Sequence, residues 1–104
     1  MDEIKVMLVC GGGASSGFLA SSMRKAAKKK GLMMDIFAKS ESDVDNFKNE
    51  IQVLLLGPHL KYLEEEIKER IAGTSVKLAV IENAIYGSLN GELAVEKVLQ
   101  MMEV

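Results

Sequence analysis

Tryptophan is absent from this 104-residue chain, and cysteine, histidine and proline occur once each, as Cys10, His59 and Pro58. A single cysteine excludes an internal disulfide and a zinc cluster of thiolates, and a single histidine leaves little scope for a metal centre. Aromatic residues make up only 5 % of the chain, too few for a platform on which bases or sugars would stack. No apolar stretch approaches the ~20 residues that a membrane span needs, so no insertion into a bilayer is expected. The opening Met-Asp-Glu-Ile-Lys lacks the basic start of a secretory leader, which points to the cytoplasm. With 13 basic and 15 acidic residues the net charge is −2, which gives no support to non-specific binding of nucleic acid. No repeat, linker or low-complexity segment divides the chain, so residues 1–104 are expected to form one domain around one core.

What is there is an alternation of short apolar runs with helical spacing. Residues 4–9 read as a strand buried on both faces, interrupted only by Lys5. Leu19, Met23, Ala26 and Ala27 then recur at helical intervals, predicting a helix over residues 16–30 with Gly31 as its terminating residue. Residues 32–38 are a second strand, and Ser40-Glu41-Ser42-Asp43 offers caps for a short helix through Asn49. Residues 51–56 form a third strand, stopped by Gly57-Pro58, with proline suited to a first helical turn. Leu60, Leu63, Ile67 and Ile71 mark the inward stripe of a helix that Gly73 ends. Residues 76–81 are a fourth strand; Ala94, Val95, Val98, Leu99 and Met102 then line a last helix capped by Asn90. Glu64, Glu65 and Glu66 point in different directions on their helix and read as a solvated face, as do Arg24, Lys25, Lys28, Lys29 and Lys30 on theirs. The expectation is an α/β three-layer sandwich: a four-stranded parallel sheet in the order 2-1-3-4 with helices on both faces. Its ligand crevice should lie beyond the strand ends, between the first and third strands.

That crevice would receive Cys10, followed by Gly11, Gly12, Gly13, Ala14, Ser15, Ser16 and Gly17 at the start of the first helix. Free backbone N–H groups and the helix dipole make such a junction a site for an anion. The same field favours a thiolate, reactive cysteines in such settings having pKa values of about 3.5–7.5. A phosphoryl group carried on Cys10 fits both properties, with the serine hydroxyls as donors and the glycines admitting close approach. Other motifs fit less well. Gly12 and Gly17 have the spacing of a nucleotide P-loop, but Phe18 stands where its lysine is needed. A dinucleotide fingerprint beginning at Gly11 meets Ser16 in place of its last glycine and lacks an acidic ribose partner. A cysteine phosphatase would need an arginine where Ser16 stands, and only Glu82 offers itself as a proton donor. A redox sensor would want a second, resolving cysteine. The plainest alternative is a buried cysteine beside a tight turn.

The run Cys10-Gly-Gly-Gly-Ala-Ser-Ser-Gly-Phe-Leu-Ala resembles the active-site loop of the enzyme IIB component of the sugar phosphotransferase system, lactose/cellobiose (chitobiose) type. Leu55-Leu56-Gly57-Pro58, Tyr62, Val80-Ile81-Glu82, Tyr86-Gly87 and Asn90-Gly91 match in the same order, so the resemblance covers nearly the whole chain. It implies that Cys10 is phosphorylated from a phosphohistidine on a IIA partner and passes the group to a sugar held by a membrane-embedded IIC partner. It further implies that residues 11–17 surround the phosphoryl oxygens and that neither cofactor nor metal takes part. A diffusing relay of this kind is expected to be a monomer. Phe18, His59 and Tyr86 are the expected docking residues around the loop. Three departures from the family pattern are Ala14, His59 in place of a usual glutamine and Glu82 in place of a frequent aspartate.

Overall fold

Alternate residues of the first strand enter two different cores. In β1 (Ile4–Val9), Val6 and Leu8 pack into one apolar cluster while Met7 and Val9 pack into another, all four fully buried. A computed structural model describes residues 3–9 and 14–102, with side chains given from residue 17 onward in the second span. It contains β1, α1 (Ala14–Lys29), β2 (Met34–Lys39), α2 (Val44–Phe47), β3 (Val53–Leu56), α3 (Glu64–Arg70), β4 (Lys77–Val80), α4 (Asn83–Ser88) and α5 (Gly91–Met101). The sheet is parallel throughout, in the expected order β2-β1-β3-β4. Residues of α1, α4 and α5 cover one face, together with Val6, Leu8, Ile36, Val53 and Leu55. Residues of α2 and α3 cover the other, with Met7, Val9, Leu54 and Leu56. Each fully buried side chain of this size contributes about 1.5–3 kcal/mol, against about 0–1 kcal/mol for a surface ion pair. The two cores therefore outweigh every charged contact described below.

The helix ends follow local chemistry. Gly31, at φ +70°, ends α1: its N–H donates to the Lys28 carbonyl at 3.1 Å and the Leu32 N–H to the Ala27 carbonyl at 2.9 Å. That cap consumes Leu32, so the second strand begins at Met34 and not at residue 32. Asn90 caps α5 as expected, accepting from the Leu93 N–H at 3.1 Å. The helix expected after Gly57-Pro58 is divided. A 3-10 stretch, Pro58–Leu63, precedes α3, with Leu60 at φ −108°, ψ 17°. Leu60 itself departs from helical geometry, and the regular α-helix begins only at Glu64. The structure also adds α4, where the sequence carried no helical stripe; its end is marked by Leu89 in the left-handed region at φ 52°. Helix α1 starts at Ala14, two residues before the expected Ser16.

Two contacts join helices that share a face of the sheet. Arg70 in α3 donates to Glu41 at 2.9 Å and to Asp45 at 3.4 Å, joining α3 to the 3-10 turn Glu41–Asp43 and to α2. The hydrogen bond from Arg70 holds the Asp45 carboxyl below its usual range, and Lys48 adds to this. On the opposite face α1 and α5 touch where the Gly91 N–H donates to Ser22 Oγ at 3.1 Å. A Cβ at position 91 would overlap the Ser22 backbone carbonyl as well as its hydroxyl.

Gly91→Ala should therefore destabilise the fold by about 2 kcal/mol or more, since the obstruction is backbone and cannot swing aside; urea unfolding measures it. Because the folded pKa of Asp45 is lowered, its contribution is present above the unfolded carboxylate value and is lost as pH falls through the folded one. Between about pH 6 and about pH 3 the thermal midpoint of the wild type should fall further than that of Asp45→Asn.

Candidate functional site at the strand ends

The parallel register brings four strand ends into one row. Lys39 lies opposite Val9, Val9 opposite Leu56, and Leu56 opposite Val80. The ladder runs one residue further, with the Gly57 N–H donating to the Val9 carbonyl at 2.9 Å and the Ile81 N–H to the Leu56 carbonyl at 2.8 Å. Helices that follow parallel strands return antiparallel to them, so α1, the Pro58–Leu63 stretch and α4 all begin at this rim.

Cys10, Gly11, Gly12 and Gly13 lie outside the described residues, as do the side chains of Ala14, Ser15 and Ser16. What is described are the two ends that they join: Val9, on a central strand, and Ala14, the first residue of α1. The first turns of α1 and α4 carry no acidic side chain, whereas α3 has Glu64, Glu65 and Glu66 there and α5 has Glu92. The positive end of the α1 dipole is thus left without a carboxylate of its own helix. Gly17 is exposed, and a Cβ there would meet nothing within 4 Å, so packing does not account for a glycine inside a helix. Phe18, the next residue, is 63 % exposed.

Across the rim the structure joins two of the residues singled out in the sequence. His59, exposed in the 3-10 stretch, faces the half-buried Tyr86 of α4, their ring centroids 5.3 Å apart at 48°. A groove of about 440 Å3 is lined by Pro58, Lys61, Val80, Ile81, Glu82 and Asn83. Glu82, at the extended residue before α4, holds Lys97 of α5 at 2.8 Å. Lys61, Asn83 and Lys97 were not singled out in the sequence, because α4 carried no periodic signal and the position of α5 over it depends on tertiary packing. Among the described residues no three His, Cys, Asp or Glu side chains are grouped to hold a metal ion, and no helix is long and apolar enough to cross a membrane.

With this geometry in view, comparison with known proteins is informative. Residues 5–97 match the model of a family described as the lactose/cellobiose-specific IIB subunit of the PTS system. The galactose-specific EIIB component of Lactococcus lactis subsp. cremoris is 34 % identical over 97 residues, covering 88 % of this chain and 90 % of that protein. A lactose-specific EIICB component of Staphylococcus aureus is 29 % identical over 104 residues, which span 98 % of this chain and 18 % of that longer protein. The lactose-specific IIB domain structure from Streptococcus pneumoniae superposes with a TM-score of 0.87 over 96 % of this chain and 98 % of that one. At 18 % identity that likeness shows a common fold.

If the His59–Tyr86 contact ties the third-strand loop to α4, the two side chains should be energetically coupled. A double-mutant cycle with His59→Ala and Tyr86→Ala, read by chemical denaturation, should give a coupling of about 0.5–1.5 kcal/mol.

Proposed function

Since this chain belongs to the lactose/cellobiose-specific IIB subunit family of the phosphotransferase system, whose members are sugar-specific phosphotransferase components, we propose that it relays a phosphoryl group through Cys10. The observation that carries the proposal is the position of the only cysteine. Cys10 directly follows the last residue of a central strand, and four residues on, at Ala14, begins a 16-residue helix whose first turn bears no carboxylate. Gly11, Gly12, Gly13, Ala14, Ser15, Ser16 and Gly17 surround the phosphoryl oxygens with backbone N–H groups and two hydroxyls. The open space at Gly17 supports this assignment.

In the first step the Cys10 thiolate attacks the phosphorus of a phosphohistidine on the IIA partner. The S–P bond forms as the P–N bond breaks, and the electron pair returns to the imidazole. In the second, a sugar hydroxyl on the IIC partner attacks, its proton passing to a base. The O–P bond forms as the S–P bond breaks, and the thiolate leaves. Positioning and charge screening suffice for a loose, in-line transfer of this kind, and the donor already carries an activated phosphoryl group. The fused relative named EIICB supports a membrane IIC partner for this chain. The chain acts as a single cytoplasmic domain and as a monomer, with Phe18, His59 and Tyr86 forming the docking surface around the loop. Fast, transient contacts suit a relay that must release each partner.

Incubation with phosphorylated IIA should add one phosphoryl group to Cys10, located by mass spectrometry, and Cys10→Ser should lower transfer by about a thousand-fold or more. Modification elsewhere, or normal transfer by the serine variant, would refute the relay. Steady turnover of an aryl phosphate without a stable phosphocysteine would mark a hydrolase instead.

A further inference from the structure

The sheet has an open edge at β2, and its backbone groups can be assigned one by one. The Ile4 N–H donates to the Met33 carbonyl at 3.0 Å, and Ile4 lies opposite Met34. In a parallel ladder, therefore, residues 33, 35, 37 and 39 turn their N–H and C=O groups toward β1. Met34, Ile36 and Ala38 turn theirs outward, where no further strand follows. One of these outward groups is taken: Arg24 Nε, from α1, donates to the Ile36 carbonyl at 2.8 Å. An exposed cation on a strand edge is a recognised means of blocking edge-to-edge pairing.

What the guanidinium blocks follows from the side chains of the same strand. Asp35, Phe37 and Lys39 share one face of β2 and line an open groove of about 340 Å3 with Lys5, Phe47, Glu50 and Ile51. The Asp35 carboxylate has no ion-pair partner among the described residues, and Lys39 Nζ rests 5.7 Å from the Phe47 ring centroid. If a second β2 is laid antiparallel along this edge about Phe37, Ile36 comes opposite Ala38, so the outward N–H and C=O groups meet in hydrogen-bonded pairs. The same register sets Asp35 opposite Lys39 twice, once on each side of the two-fold axis, and Phe37 against its own copy. The segment Met-Asp-Ile-Phe-Ala-Lys is thus complementary to itself in both charge and hydrogen-bonding polarity.

We propose that the β2 edge is a pairing surface for a second copy of this chain, and that Arg24 holds it shut by occupying the Ile36 carbonyl. Replacing Arg24 frees that acceptor and joins two sheets into one of eight strands. The dimer is isologous, each Asp35 facing a Lys39.

Sedimentation equilibrium at sub-millimolar concentration tests this, with circular dichroism to verify folding. The wild type should be monomeric and Arg24→Ala dimeric. Adding Lys39→Glu to Arg24→Ala places two carboxylates opposite each other and should weaken the dimer about tenfold or more. Adding Asp35→Lys as well restores opposite charges and should restore the dimer. A folded Arg24→Ala variant that stays monomeric, a dimer indifferent to Lys39→Glu, or a dimeric wild type would each overturn the proposal.

Discussion

The hydrogen bond from the Gly57 amide to the Val9 carbonyl, 2.9 Å long, extends the pairing of β1 with β3 to the very rim of the sheet. On that alignment the remainder of the rim depends. A slip of one residue would turn Met7 and Val9 toward the face covered by α1 and α5, and Val6 and Leu8 toward the other. Because both faces are buried, neither cluster tolerates the exchange. Two cores thus enforce one register, and the register sets where the first three crossovers begin. The strand-end residues Lys39, Val9, Leu56 and Val80 are aligned for a reason that belongs to packing alone.

The distribution of charge along the helices follows the same economy. α3 and α5 carry carboxylates in their first turns, which stabilise the helix dipole locally. α1 has none in its first turn and ends on Lys28 and Lys29, so its charges favour its carboxyl end while its amino end is left positive. Arg70, by contrast, spends its charge within the structure, gathering Glu41 and Asp45 to hold α2 against α3.

Much of the fold was legible from apolar periodicity. The four strands followed from runs of apolar residues, their order from the alternation of strands with helices and right-handed crossovers, and the ends of α1 and α5 from Gly31 and Asn90, whose backbone and side chain do the terminating themselves. What escaped was set by tertiary contact. α4 presents only Ile85 as a buried residue, too little to register as a stripe. The division after Pro58 rests on the backbone of Leu60, whose apolar spacing to Leu63 is compatible with an α-helix and so carried no warning. Of the candidate site, Cys10 and the glycines were conspicuous as a string of residue types. The meeting of His59 with Tyr86 and of Glu82 with Lys97 was not, because each joins segments well separated along the chain.

The close approach of Gly91 to Ser22 falls midway along α1. Beyond it toward the carboxyl end, Met23, Ala26 and Ala27 are buried, Arg24 is moored to the strand edge and Gly31 seals the last turn. Toward the amino end, Leu19 and Ala20 are sunk in the core. From Leu19 to its last turn, therefore, the helix cannot shift as a rigid body without withdrawing buried side chains and breaking the Ser22 and Arg24 contacts together.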